Sequence, residues 1–176
     1  YGFKVVFGGV HALTNPDETL SMDVCDFLCK GEGETPIVNL LSALENGSPL
    51  EDVKGIWFKK GNNIEAFNNI IKNDDEKLTD LSTLPLPDYT LFDPIHMYRP
   101  FGGKRYKMIN IEIYRGCPFK CSYCINVAQR DFYDGLGSFR RGKTVDQSIG
   151  ELKQAIKKYN FNFVRFWDDD FTSIPT

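Results

Sequence analysis

The sequence predicts an α/β fold built in two parts. Short apolar segments rich in β-branched and aromatic residues alternate with amphipathic helical segments along the 176 residues, a pattern typical of sheets covered by helices. A stretch from 74 to 103 carries four prolines and has no sustained periodicity. Because proline interrupts both helices and sheets, we expect this stretch to be a linker between an α/β part at 1–73 and a second at 104–176.

The first part contains two predicted strands that end in glycine. Phe3–Phe7 is a β-branched and aromatic run followed by Gly8 and Gly9, which predicts a buried strand and a tight turn. Asp23–Leu28 predicts a second strand, and the run Gly31-Glu32-Gly33-Glu34 ends it. We therefore expect two glycine-containing loops at strand ends.

A helix and a hairpin are predicted to complete the first part. Thr35 is the expected N-cap and Pro36 the first helical residue. Asn46-Gly47 provides a stop signal. Gly55–Ile64 predicts a small hairpin with its turn at residues 61–63. The apolar face of the helix is predicted to consist of Ile37, Leu40, Leu41 and Leu44.

The second part predicts a strand, a loop, a helix and another strand. Lys107–Ile113 is the first strand, and its alternate isoleucines share one face. Thr144 and Gln147 form a capping box, and the helix ends near Asn160. Phe161–Trp167 is the next strand. The helix is expected to bury a stripe of Val145, Ile149, Leu152 and Ile156.

Three cysteines lie in the loop that follows the first of these strands. Cys117, Cys121 and Cys124 have the spacing C-x3-C-x2-C. Cysteine thiolates are the usual ligands of iron–sulfur clusters. Three thiolates can hold three irons of a four-iron cluster and leave the fourth open, and an open metal position is where chemistry can occur. The spacing therefore favours an open cluster.

Other interpretations of these cysteines fit less well. A structural zinc site normally uses four protein ligands, and the remaining Cys25, Cys29, His11 and His96 do not have finger-like spacing. A disulfide framework is disfavoured by an odd count of five cysteines and the lack of an opening apolar signal segment. We interpret Cys25 and Cys29 as core residues. A cluster used only for electron transfer or structure stays open as an alternative.

Composition limits the remaining function classes. The chain is 41% hydrophobic and 26% charged, with a net charge of −3 and no long basic run. A nucleic-acid-binding footprint is therefore not visible. No segment approaches the roughly 20 apolar residues of a membrane span. Reduced cysteines together with an oxygen-sensitive cluster predict a cytoplasmic location.

The cysteine motif and its flanks resemble the first segment of a radical S-adenosylmethionine (radical SAM) domain. The resemblance implies a [4Fe–4S] cluster on Cys117, Cys121 and Cys124, with SAM bound at the open iron through its amino and carboxylate groups. It places Tyr123 near the SAM adenine. The acidic end of the second strand is implied to contact the SAM amino group through Asp168, Asp169 and Asp170.

The first part resembles the end of the cobalamin-binding domain that precedes the radical SAM domain in one large subgroup. Gly8 and Gly9 match the pair that lies against the cobalamin tail, and the Gly-Glu-Gly-Glu run at 31–34 matches the next strand end. Together with the linker sequence Leu-Pro-Leu-Pro-Asp at 84–88, the resemblance covers nearly the whole chain. It implies the C-terminal part of a Rossmann-like cobalamin-binding domain, followed by the first β/α unit of a partial TIM-type barrel.

The resemblance also implies a reaction and its participants. The expected enzyme cleaves SAM reductively to a 5′-deoxyadenosyl radical and uses cobalamin to methylate an unactivated carbon. The alternatives are a non-methylating cyclisation or rearrangement, or a non-catalytic iron–sulfur and corrinoid-binding module. The implied partners are a small, natural-product-like substrate and an electron donor such as flavodoxin or ferredoxin. Since both ends look cut, we expect a fragment that is inactive alone.

Overall fold

The computed structural model describes residues 2–61 and 69–173. The chain divides into two compact units. Unit 1 comprises Tyr1–Thr79 and Asp131–Gly137, and unit 2 comprises Asp80–Arg130 and Ser138–Thr176. Each is an α/β unit with its own sheet and core, so the α/β class predicted from the sequence is confirmed.

Unit 1 contains a four-stranded mixed sheet in the order β1-β2-β3-β4. The strands are β1 (Val6–Phe7), β2 (Phe27–Cys29), β3 (Ile56–Lys59) and β4 (Ile70–Lys72). β1 and β2 are parallel, and the other pairs are antiparallel. Both β1 and β2 are shorter than predicted.

The Asp26 side chain binds the backbone just before β1 begins. The Asp26 carboxylate accepts a hydrogen bond from Val5 N at 2.9 Å and forms an ion pair with Lys4 at 2.9 Å. The register of β1 and β2 begins at Val6, opposite Phe27. The sequence pattern locates the strands correctly but does not reveal this local side-chain interaction.

Three helices belong to unit 1. The short helices α1 (Val10–Thr14) and α2 (Pro16–Ser21) connect β1 to β2 and were not predicted. The helix α3 (Glu34–Asn46) begins one residue before Thr35. The predicted N-cap at Thr35 is therefore wrong, and Gly33 occupies that position. The predicted stop is confirmed, because Gly47 ends the helix with a left-handed φ of 66°.

The buried face of α3 differs from the predicted one. Leu40 is fully buried and Ile37 packs against the same core. Leu41 and Leu44 are exposed, so the prediction is wrong for these two residues. The helix instead buries Pro36 and Ala43 beside Leu40. The spacing of these three residues also defines a helical face, and contact with the sheet selects it.

β3 pairs antiparallel with β2 and with β4, and β4 lies beyond the predicted hairpin range. The end of that predicted hairpin, including turn residues 62 and 63, lies outside the described residues. The predicted burial of the two remaining cysteines is confirmed. Cys29 packs with Phe27 and Leu40, whereas Cys25 belongs to a second cluster with Leu28.

Unit 2 contains a three-stranded sheet in the order β5-β6-β9. The strands are β5 (Tyr98–Phe101), β6 (Lys104–Ile111) and β9 (Phe163–Phe166). β5 lies within the stretch interpreted as a linker and forms an antiparallel hairpin with β6. Pro100 is tolerated there because β5 is an edge strand.

The β6 and β9 strands are parallel and are connected through α5 (Val145–Tyr159). The predicted capping box is present: Gln147 N donates to Thr144 Oγ1, and Thr144 N donates to Gln147 Oε1. Asn160 ends the helix in the left-handed conformation, which confirms the predicted end of the helix. The strand–helix–strand unit expected for this part is thus formed.

The buried face of α5 is only partly the predicted stripe. Leu152 packs against the core. Val145, Ile149 and Ile156 are exposed, so the prediction is wrong for these residues. The helix buries Ala155 and Tyr159. These residues contact a core that contains Met97, Ile109, Ile111 and Phe161.

Three further elements lie wholly or mostly in unit 2. β7 (Tyr114–Arg115) pairs antiparallel with β8 (Arg141–Gly142), and α4 spans Asn126–Phe132. Short 3-10 turns begin at Asp-capped positions in the proline-containing stretch. In the described parts of the chain, no helix is long and apolar enough to cross a membrane.

Candidate cluster loop and glycine cleft

The three motif cysteines lie beyond the carboxyl ends of parallel strands. β6 ends at Ile111 and leads through β7 to Cys117, and β9 ends at Phe166 just before Asp168. Because β6 and β9 are parallel, their carboxyl ends lie at the same edge of the sheet. Active sites of parallel α/β folds are found at this edge.

Two glycines allow the backbone to enter the cysteine loop. Gly116 has a φ of +87°, and a Cβ there would collide with the backbone carbonyl of Phe139. A Cβ at Gly142 would collide with the Tyr114 ring. The small β7–β8 ladder therefore depends on glycine at both positions.

The motif cysteines have accessible, free thiols. Cys121 is exposed, whereas Cys117 and Cys124 are half-buried, and none is in a disulfide. Cys124 N donates to Cys121 O at 3.0 Å, which forms a turn between these two cysteines. The described residues contain no group of three His, Cys, Asp or Glu side chains gathered around one metal ion. A cluster distributes its thiolates over several irons, and three thiols on one loop are the type of donor that such a cluster uses.

Two of the three strand-end aspartates contact the backbone at or just before the start of the cysteine loop. Asp168 Oδ1 accepts hydrogen bonds from Ile113 N, at 3.0 Å, and from Tyr114 N. Asp169 Oδ2 accepts from Gly116 N at 2.8 Å. Asp170 instead accepts from Thr172 N and Thr172 Oγ1, at 3.1 and 2.9 Å. The predicted contact of these aspartates with the SAM amino group stays a prediction.

Sequence reasoning missed Arg130. This α4 residue donates hydrogen bonds to Cys117 O and, at 3.3 Å, to Phe119 O. Its guanidinium also lies 5.7 Å from the centre of the Phe139 ring. Nothing in the spacing of a lone arginine indicates such a role, because the contact depends on how the loop folds back onto α4.

Aromatic side chains of the loop face solvent. Tyr123, the residue predicted to lie near the SAM adenine, exposes 90% of its surface. Phe119 exposes 58%. Large exposed aromatic surfaces beside a polar motif are typical of ligand-binding sites. Tyr123 is therefore accessible to a ligand, and its assignment to SAM stays a prediction.

Unit 1 contains a separate open cleft of about 450 Å³. It lies at the carboxyl ends of the parallel strands β1 and β2, where α/β sheets bind ligands. Gly9 has a φ of +84°, and a Cβ at Gly8 would approach Cys29 Cβ to 3.6 Å. The lining residues are Val6, Gly8, Gly9, Cys29, Gly31, Gly33, Glu34 and Ile37. Both glycines predicted to contact cobalamin thus line one cleft.

The Cys29 thiol in this cleft is unreactive. Burial, together with the negative charge of Glu34, raises the pKa of Cys29 to about 11. The side chain is therefore a neutral thiol near neutral pH. Cys29 contributes a small apolar surface to the cleft.

Sequence comparisons link the chain to two kinds of enzymes. It is 31% identical to an uncharacterized methyltransferase of Pyrococcus horikoshii over 96% of this chain and 34% of that protein. It is also 31% identical to the anaerobic magnesium-protoporphyrin IX monomethyl ester cyclase of Synechocystis sp., over 73% of this chain and 24% of that protein. The chain thus spans about a third or less of these relatives. No protein-family model matches it.

Solved structures share the fold of the chain. The radical SAM methyltransferase TsrM from Kitasatospora setae superimposes with a TM-score of 0.59 at 17% identity, over 97% of this chain and 30% of that chain. The cobalamin-dependent radical SAM enzyme OxsB superimposes with a TM-score of 0.64 at 19% identity, over 94% and 21%. These matches show the fold alone.

The two sheets and the cysteine loop define a segment with the architecture of cobalamin-dependent radical SAM enzymes. The chain is therefore similar in sequence to methyltransferases and to anaerobic cyclases, and it shares the fold of cobalamin-dependent radical SAM enzymes. The resemblance predicted from the sequence is confirmed.

Proposed function

We propose that the chain is part of a radical SAM enzyme that binds a [4Fe–4S] cluster, SAM and cobalamin and methylates an unactivated carbon of a small-molecule substrate. The observation that carries the proposal is the position of three free cysteine thiols on one loop at the carboxyl edge of a parallel strand pair. The sequence relation to a methyltransferase supports the methylation chemistry.

In this proposal, Cys117, Cys121 and Cys124 hold the cluster. When bound there, the cluster supplies an electron that cleaves SAM to methionine and a 5′-deoxyadenosyl radical. The chain itself contributes the three thiolates and the exposed ring of Tyr123, which offers an apolar face to the adenine. Carboxylates at 168–170 add negative charge near the site of the SAM ammonium.

The glycine cleft is the proposed cobalamin site. Gly8 and Gly9 add no side chain to their part of the wall, so a planar or extended group can approach the backbone closely there. Both cobalamin-bound structures that share the fold, TsrM and OxsB, cover nearly the whole chain. We accordingly propose residues 1–73 as the cobalamin-binding part, 74–103 as the linker and 104–176 as the radical SAM part.

The test of the proposed cluster is anaerobic reconstitution with iron and sulfide, followed by EPR spectroscopy of the reduced chain with and without SAM. We expect a [4Fe–4S] signal that changes when SAM is added. The matched control is Cys25→Ala, which removes a buried thiol outside the loop. Retention of the cluster in Cys121→Ala, or zinc binding without any cluster, would contradict the proposal.

Turnover by the isolated chain is a separate prediction. The described part of unit 2 has one parallel strand pair connected by one helix, and we expect this small unit to enclose SAM incompletely. The 176-residue chain should therefore form no 5′-deoxyadenosine when supplied with SAM and reduced flavodoxin or ferredoxin. Chromatography of the quenched reaction measures this, and multiple turnovers would contradict the prediction.

A non-methylating cyclisation is the second candidate, favoured by the similarity to magnesium-protoporphyrin monomethyl ester cyclases. The two candidates differ in the fate of the SAM methyl group. With methyl-labelled SAM and the whole enzyme of which the chain is proposed to be part, transfer of the label to a product supports methylation. Formation of 5′-deoxyadenosine with all the label left in methionine supports cyclisation.

A further inference from the structure

We propose that Asp168, Asp169 and Arg130 are positioning residues that fix the cysteine loop through its backbone before a cluster binds. The inference deepens the proposed function and rests on it. It differs from direct contact with SAM, because the atoms that these side chains engage belong to the loop itself.

Asp168 fixes the approach to the loop. One carboxylate oxygen accepts from two consecutive amides, Ile113 N and Tyr114 N. Its other oxygen is buried and has no hydrogen-bond partner within the described part of the chain. Amides donate strongly to an ionised carboxylate. Asp168 Oδ1 therefore ties both amides of the turn between β6 and β7 to the end of β9.

Asp169 fixes the residue next to the first ligand. Its Oδ2 accepts from Gly116 N at 2.8 Å, and Gly116 directly precedes Cys117. The positive φ of Gly116 orients this amide, and only glycine adopts that conformation without strain. The hydrogen bond requires an acceptor oxygen at residue 169, and it does not in principle require a charge.

Arg130 fixes the loop from the other side. Its NH2 group donates to the carbonyl oxygens of Cys117 and Phe119, which lie on either side of Pro118. A planar guanidinium can serve several acceptors in a fixed geometry. Carboxylates therefore hold the amides at the loop entrance, and a cation holds carbonyls within it.

The consequence concerns cluster retention. Outer-shell partners that orient metal ligands typically change metal affinity about 10- to 100-fold when they are removed. A loop that is ordered before binding also loses less conformational entropy when the cluster enters. We therefore expect loss of these contacts to speed the release of the cluster, without SAM being present.

The experiment measures iron and sulfide per chain after anaerobic reconstitution, and the rate of cluster loss to an iron chelator, with no SAM added. Asp169→Ala should lose the cluster about 10-fold faster than wild type. Asp169→Asn keeps an acceptor oxygen and should stay near the wild-type rate. Arg130→Gln should also release the cluster faster. The matched controls are Asp146→Asn and Arg99→Gln, at exposed positions outside the loop sequence.

Comparison of Asp169→Ala with Asp169→Asn separates the effect of losing the negative charge from the effect of losing the hydrogen-bond acceptor. Equal, fast loss from both would overturn the proposal, because it would show that the charge and not the hydrogen bond matters. Wild-type rates in Asp169→Ala and Arg130→Gln would also overturn it. Circular dichroism of the cluster-free chain establishes whether each variant is folded. If Asp169→Ala is unfolded, the rate of cluster loss from Arg130→Gln alone tests the proposal.

If the chain does not bind a cluster at all, the proposed function is wrong and the experiment gives a different result. In that case wild type itself retains no iron and sulfide, and all variants behave alike. A selective effect of Asp169→Ala with rescue by Asp169→Asn confirms the positioning role. This result requires no turnover and no knowledge of the substrate.

Discussion

At the scale of single residues, the five cysteines fall into two groups that differ in exposure. Cys25 and Cys29 are buried in unit 1, and the three motif cysteines are exposed or half-buried. Burial raises the pKa of both core thiols. Since the thiolate is the reactive form, exposure and ionisation both disfavour reaction of the buried pair.

Thiol labelling of the folded, cluster-free chain tests this division. We expect iodoacetamide at pH 7.5 to modify Cys117, Cys121 and Cys124 and to spare Cys25 and Cys29. Peptide mass spectrometry identifies the modified residues, and labelling in urea, where all five should react, is the control. Fast modification of Cys29 in the native chain would contradict the structure.

The position of the strand-end aspartates can be predicted from the sequence, but their hydrogen-bond partners cannot. Their sequence position after a strand correctly suggests an acidic group at the carboxyl edge of the sheet. The spacing gives no information on which carboxylate faces the backbone. In the structure, two of the three are acceptors for loop amides and the third, Asp170, bonds to Thr172.

At the scale of elements, the β7–β8 ladder depends on its glycines. Gly116→Ala places a Cβ against the Phe139 backbone at a positive φ. We expect a loss of at least about 1–3 kcal/mol in the free energy of unfolding. The measurement is urea unfolding followed by circular dichroism.

Gly150→Ala is the matched control for that substitution. Gly150 lies within α5, and a Cβ there would meet no atom within 4 Å. Replacement of glycine by alanine in a helix interior should stabilise the chain by roughly 0.5–1 kcal/mol. Equal effects of the two substitutions would show that the ladder is not packed as described.

The capping box of α5 makes a second element-scale prediction. Thr144→Ala removes the acceptor for Gln147 N and leaves a helix-terminal amide without its cap. We expect a destabilisation of about 1 kcal/mol. Val145→Ala, at the neighbouring exposed residue, should change the unfolding free energy by less than about 0.5 kcal/mol. If Val145→Ala lowers the unfolding free energy as much as Thr144→Ala does, the loss does not come from the cap.

At the scale of the whole molecule, Asp88 makes stability depend on pH. Hydrogen bonds from Thr90 N and Thr90 Oγ1, from the Tyr159 hydroxyl, and the nearby Lys158 ammonium lower the pKa of Asp88 to about 2. An unfolded aspartate has a pKa of about 3.9. The stabilisation is therefore complete above about pH 4 and is lost as the pH falls through about 2.

Asp88→Asn tests this dependence because it removes the titrating group and keeps an oxygen. Wild type should be more stable than the variant at pH 5, and the difference should shrink as the pH falls from 4 toward 2. Urea unfolding at several pH values measures the difference. A difference that stays constant over this range would show that Asp88 does not titrate as the structure indicates.

The sequence by itself determined the α/β class, the capping box and stop of α5, the burial of Cys25 and Cys29, and the resemblance carried by the cysteine motif. These features depend on local periodicity, on capping chemistry within one turn, or on a short fixed spacing. Only the tertiary structure decided which helix face is buried, as Leu41, Leu44 and Val145 show. It also decided that Asp169 and Arg130 contact the loop backbone, because residues distant in sequence meet there only after the strands pair.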